Sequence, residues 1–151
     1  MSDASDKLCF LVVDDKPLIT GALSRLLTSE NPDSEVFTAN SVDDARKLVH
    51  SHAPEADLLI LDRSMPGVVG TSLLEEFVRE EPSLKILVLS GVTDRESVMN
   101  TLSLGAAGFV PKTLDTDLLL TAIHFVLKGG VYLPSKIIEE SQRRGFFAEA
   151  G

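Results

Sequence analysis

The chain has 151 residues, about one domain's worth, with a formal net charge of -9 and a single cysteine, which excludes an internal disulfide. The acidic balance argues against direct gripping of nucleic acid, because phosphate contacts need clustered Lys and Arg. No apolar run approaches the roughly 20 residues needed to cross a bilayer, and the polar start MSDASDK lacks the regions of a secretory signal, so no membrane association and a cytoplasmic location are expected.

In chain order, the apolar run Leu8–Val13 reads as a buried strand that takes Cys9 inside. Asp14 and Asp15 follow it, and Pro17 suits the first turn of a helix with the stripe Leu18/Ile19, Ala22/Leu23 and Leu26/Leu27. Val36–Ala39 predicts a second strand, followed by a helix that turns Val42, Ala45 and Leu48/Val49 inward. The third strand, Asp57–Leu61, leads to Asp62 and the turn Arg63-Ser64-Met65-Pro66-Gly67. Its helix carries Leu73/Leu74 and Phe77/Val78, with Pro82 just beyond. Lys85–Leu89 leads to Ser90, and a fourth helix is expected to start on the capping-box pattern Thr93-x-x-Glu96 and end near Gly105. Ala107–Val110 brings Lys112 to its end. A fifth helix from about Asp115 carries Leu119, Ala122/Ile123 and Val126, and Gly129-Gly130 stops it.

Strands alternating with helices in this way imply an α/β fold, a doubly wound parallel sheet with helices on both faces. Residues 7–130 are expected to form that domain. Residues 131–151 read as a C-terminal extension or the start of a linker helix, with one extra helix from about Pro134 and Ile137 and Ile138 available for packing.

Ligands of open α/β sheets sit outside the carboxyl ends of the strands, and Asp14, Asp15, Asp62, Ser90 and Lys112 all fall at those ends. A single Asp after a strand is usually a cap or turn former. The set is harder to explain that way. Gathered carboxylates repel unless a cation is supplied, and Mg²⁺ suits one or two carboxylates plus waters and a phosphoryl group. Asp62 would then be the nucleophile forming an acyl phosphate. Lys112 would neutralise phosphoryl oxygens and Ser90 donate to one of them; the turn after Asp62 would offer the Ser64 backbone carbonyl as a further metal ligand.

The segments VVDD (12–15), DLLILDRSMPGVVG (57–70), ILVLS (86–90) and GAAGFVPK (105–112) occur in an order and spacing that resembles the receiver domain of two-component response regulators, across roughly Leu8–Gly130. The resemblance implies a flavodoxin-like five-stranded sheet in the order 2-1-3-4-5. It implies phosphoryl transfer from a histidine kinase or phosphotransfer protein to Asp62, followed by self-catalysed hydrolysis, in a switch and not a metabolic enzyme. Mg²⁺ is implied on Asp15, Asp62 and the Ser64 carbonyl, with Asp14 acting partly through water. Phe109 stands where a switching aromatic is expected, so the surface of about Asp94–Lys128 would change shape with phosphorylation and bias an interaction; the alternative is a homodimer contact through the first and fifth helices, and the choice of face stays open.

GAAGFVPK followed by AIHFVLKGGVYLP resembles the NarL/FixJ type, whose receiver precedes a LuxR-type DNA-binding domain. This implies transcription regulation, with DNA reached only indirectly through an output domain this sequence lacks. Two readings stay open: a chain cut in the connecting segment, or a stand-alone receiver acting through protein contacts. Departures from the family pattern are Arg63, Val69 and Gly91, while Lys16 is placed to pair with Asp15 or an incoming phosphate. A flavin carrier is disfavoured because Asp14-Asp15 replaces a phosphate-binding loop. An aspartate-nucleophile phosphatase is disfavoured by Ser64 where a second Asp is usual, and a non-phosphorylated pseudo-receiver by retention of the whole set. His50, His52 and His124 lack ligand spacing, and Phe146 and Phe147 are expected either to anchor a partner or to be disordered.

Overall fold

The computed structural model describes residues 7–68, 70–112 and 115–134. Strands β1 (Cys9–Val13), β2 (Glu35–Ala39), β3 (Leu58–Asp62), β4 (Ile86–Ser90) and β5 (Gly108–Pro111) form one sheet in the order β2-β1-β3-β4-β5. All four pairings are parallel. Helices α1 (Pro17–Glu30), α2 (Val42–His52), α3 (Ser72–Glu80), α4 (Arg95–Ser103) and α5 (Thr116–Leu127) make the crossovers.

Successive strand residues point to opposite faces, and this alternation divides the interior into two cores. Cys9, Leu11 and Val13, with Leu59, Leu61, Ile86, Val88 and Phe109, pack against Ala45 and Val49 of α2, Leu73, Leu74 and Phe77 of α3 and Val98 of α4. Phe10, Val12, Leu58, Ile60, Leu87, Leu89 and Val110 pack against Leu23 and Leu27 of α1 and Leu119, Ala122, Ile123 and Val126 of α5. A fully buried side chain of this kind contributes about 1.5–3 kcal/mol. Strands flanked on both faces explain why the runs are apolar throughout.

Two local expectations are corrected. Leu18 is 78% exposed and is not part of the α1 stripe, whose buried members are Thr20, Leu23 and Leu27. It lies five positions from Leu23, about 140° round the helix. The α4 cap is Asp94, not Thr93: the Asp94 carboxylate accepts from the Ser97 N–H at 3.0 Å and from the Ser97 hydroxyl at 2.7 Å. A carboxylate at the positive end of the helix dipole outcompetes a neighbouring hydroxyl. Asp115 caps α5 as expected, accepting from the Leu118 N–H at 3.0 Å.

Beyond α5 the chain returns to the sheet edge, where Tyr132 forms a parallel bridge with Gly108. The Tyr132 N–H donates to the Ala107 carbonyl at 3.1 Å and the Phe109 N–H to the Tyr132 carbonyl at 3.0 Å. Gly108 permits this approach, since a Cβ there would lie 2.7 Å from Leu87 Cδ1 and 3.2 Å from Tyr132 Cβ. The helix expected from about Pro134, with Ile137, Ile138, Phe146 and Phe147, lies outside the described residues, as does Val69. Among the described residues no helix is long and apolar enough to cross a membrane.

Candidate functional site

Neighbouring β1 and β3 end side by side, and their first residues past the hydrophobic run are acidic. Asp14 follows β1 and is fully buried; Asp62 closes β3 and is 2% exposed. Local turns orient both. Asp14 Oδ1 accepts from the Lys16 N–H at 2.9 Å, and Asp62 Oδ1 accepts from the Ser64 N–H at 3.1 Å. Lys112, just past β5, is anchored through its N–H to the Ser90 carbonyl at 2.8 Å. Its ammonium stands 3.1 Å from Asp14 Oδ2 and 3.2 Å from Asp62 Oδ1.

Asp15 completes the group: one oxygen each of Asp14, Asp15 and Asp62 lie within 4.8 Å of one another. Burial pushes the Asp14 carboxyl above its ordinary range, and the bonds from Lys16 and Lys112 offset this only in part. Burial opposes the charge on Lys112 too, but Asp14 and Asp62 more than compensate and its pKa rises. Asp15 is slightly desolvated, yet nearby Lys16, with Nζ 3.5 Å from Oδ1, lowers its pKa. The Lys112 ammonium thus meets Asp14 and Asp62 while Asp15 has only the loose pairing with exposed Lys16, a crowding of three carboxylates that a hard divalent cation would relieve. Asp62 Oδ2 is buried with no hydrogen-bond partner. A buried carboxylate oxygen with no protein partner fits a metal ligand.

Asp14, Asp15, Asp62 and Lys112 come together at the carboxyl edge, and Ser90 closes neighbouring β4. Its buried hydroxyl donates to the Val92 carbonyl at 3.1 Å and accepts from the Val92 N–H at 3.0 Å. Phe109 is fully buried in the core that contains Val98 of α4. Arg63 lies partly buried beside Asp62, its charge among those that lower the Asp94 carboxyl. Gly91 is exposed, with open space where a side chain would stand. The histidines stay outside the site: His50 and His124 are exposed, and His52 stacks on Phe37 with ring centroids 4.0 Å apart.

Sequence reasoning passed over two residues that support the acidic loop. The Asn40 amide donates to the Asp14 carbonyl at 2.8 Å and to the Thr20 hydroxyl at 3.0 Å. The only signal was a polar pair of ordinary type, an Asn after a strand and a Thr in a helix.

Residues 10–124 match the family model described as response regulator receiver domain. A glycerol metabolism activator of Pseudomonas putida is 33% identical over 135 residues, covering 89% of this chain and 61% of the relative. The chain therefore spans less than two thirds of that relative's length. Among solved structures, the CheX–CheY–BeF3–Mg complex of Borrelia burgdorferi matches at 26% identity and a TM-score of 0.73, covering 79% of this chain and 88% of that one. A LuxR family DNA-binding response regulator of Silicibacter pomeroyi matches at 28% identity and a TM-score of 0.72, covering 86% and 98%. A sheet in the order 2-1-3-4-5 with acids at its carboxyl edge agrees with these likenesses, and the chain belongs to the receiver domain family of two-component response regulators, signalling switches with LuxR-type relatives.

Proposed function

We propose that Asp62 accepts a phosphoryl group from the phosphohistidine of a histidine kinase or phosphotransfer protein. Asp14, Asp15, Asp62 and the Ser64 carbonyl would hold a Mg²⁺, which when bound supplies positive charge to the phosphoryl oxygens. The observation that carries this reading is Asp62 itself, buried, with one oxygen 3.2 Å from an ammonium and the other without a partner. An Asp62 oxygen attacks phosphorus as the phosphorus–nitrogen bond of the donor breaks, and the imidazole leaves. Lys112 is placed to meet the charge on the transferred group. For Ser90, turning toward a phosphoryl oxygen exchanges its neutral bonds to Val92 for a stronger charge-assisted one. Hydrolysis then returns Asp62 and releases inorganic phosphate, a reaction the domain performs on itself.

Movement at Ser90 reaches α4 through packing. Val88 and Phe109 are cross-strand partners on the β4–β5 pair, and both share a core with Val98. The surface of about Asp94–Lys128 is the output face in this reading. Its partner is a second copy of the chain or a LuxR-type domain that meets DNA in its place. Residues 7–130 act as the receiver and 131–151 as the connection.

Acetyl phosphate with Mg²⁺ tests the chemistry by intact mass. One phosphoryl group is expected on the wild type and none on Asp62→Asn. No adduct on the wild type, with no binding of beryllofluoride, overturns the reading.

A further inference from the structure

Asn40 sits one residue past β2, where a polar side chain usually caps the next helix or turns the chain. Neither role is its own here. Ser41 caps α2, accepting from the Asp44 N–H at 3.1 Å. The Asn40 side chain instead reaches across to the loop that carries the acids, 26 residues away at Asp14 and 20 away at Thr20. An amide nitrogen has two hydrogens, and both are used: one for the Asp14 carbonyl at 2.8 Å and one for the Thr20 hydroxyl at 3.0 Å. Thr20 is buried and passes its own hydrogen to the Pro17 carbonyl at 3.2 Å. One side chain thus brackets the turn from the end of β1 to the first turn of α1.

The Asp14 carbonyl belongs to the peptide that joins Asp14 to Asp15. Because a peptide is planar, fixing that oxygen fixes the plane from which the Asp15 side chain departs. The Asp14 N–H is held as well, donating to the Ala39 carbonyl at 3.1 Å. Two consecutive residues at the end of β2 therefore hold both sides of Asp14, and Asn40 holds the side that leads to Asp15.

We propose that Asn40 is a positioning residue of the acidic site: by clamping the Asp14–Asp15 peptide to β2 and α1 it sets the affinity of the carboxylates for a divalent cation. This rests on the metal reading above. It assigns no contact between Asn40 and the ion. Its effect runs through the geometry of Asp14 and Asp15; hydrogen bonds made directly to ligating groups change metal affinity by about 10–100-fold, and a bond to the backbone beside them belongs at the low end of that range.

The test measures the Mg²⁺ dissociation constant of the full chain from amide chemical shifts, alongside the thermal midpoint in EDTA. Asn40→Ala is expected to bind Mg²⁺ about tenfold more weakly, and Thr20→Val, which removes one branch of the network, to lose less. Leu27→Ala opens a cavity in the α1 core away from the acids. It is expected to lower the midpoint at least as much as Asn40→Ala while keeping wild-type Mg²⁺ affinity. Wild-type affinity in Asn40→Ala overturns the proposal, and so does an equal loss of affinity in Leu27→Ala, which would make the effect one of general stability. Failure of the wild type itself to bind Mg²⁺ removes the metal reading instead, a separate and recognisable result.

Discussion

Lys112 holds an exacting position between two strand ends. Its ammonium touches two carboxylates that are themselves almost wholly buried, while its own side chain is 25% exposed. Removing one partner of a buried charge set usually costs about 3–5 kcal/mol, because the others remain desolvated and unpaired. Partial exposure reduces that figure. Asp14, whose carboxyl burial already pushes upward, can take a proton and reduce it further. Lys112→Met is therefore expected to lose about 2 kcal/mol in the metal-free protein, read from the urea midpoint in EDTA, and to recover part of it when Mg²⁺ is added. A midpoint equal to wild type would mean that the ammonium contributes nothing to holding the acids together. Lys112 and the three acids were legible in the sequence because each is a charged residue at the end of an apolar run. Asn40 was not. Its type is ordinary after a strand, and its two partners are distant in sequence, so nothing local distinguishes it from a turn former.

Helices depend on pairings that are just as hard to read. Arg46 of α2 and Glu76 of α3 form a two-pronged ion pair, Nε to Oε2 at 2.8 Å and Nη2 to Oε1 at 3.0 Å. The hydrogen bond from Arg46 holds the Glu76 carboxyl below its ordinary range. A depressed carboxylate stabilises the fold above its unfolded-state pKa, and that stabilisation fades as pH falls through the folded value. The difference in urea midpoint between wild type and Glu76→Gln is accordingly expected to be constant from neutral pH down to the ordinary carboxylate range, then to shrink to nothing in stronger acid. It should be small, because Arg46 is half exposed. A difference that grew on acidification would exclude the pair as its source. Element boundaries show the same limit of local reading. Five helices and five strands could be placed from periodicity and strand-end residues, but Thr93 and Asp94 are adjacent acceptors, and the choice between them depends on which carries charge. Leu18 reads as part of an apolar stripe until the helix phase is set by what α1 packs against.

At the scale of the whole molecule, the position of the site follows from the winding of the chain. From β1 the chain proceeds to β2 on one side and later to β3 on the other, and the helices divide accordingly, α1 and α5 on one face and α2, α3 and α4 on the other. A crevice opens where the winding reverses, which places Asp14 and Asp15 from β1 beside Asp62 from β3. This much was legible, because continuous apolar strands separated by amphipathic helices allow few other architectures. The return of Tyr132 to the edge of β5 was not, since a single bridge has no periodicity. An ion that joins the ends of β1 and β3 binds only the folded chain, so it must raise global stability. At about ten times its dissociation constant the gain is about 1.4 kcal/mol, which for a chain of this size moves the thermal midpoint up by about 3–5 °C. Asp62→Asn should abolish that shift. In EDTA the same variant should melt no earlier than wild type, since it removes one buried charge while Lys112 keeps Asp14. The two melting curves would then change order when Mg²⁺ is added. A wild-type midpoint indifferent to Mg²⁺ would mean that the folded chain does not bind the ion.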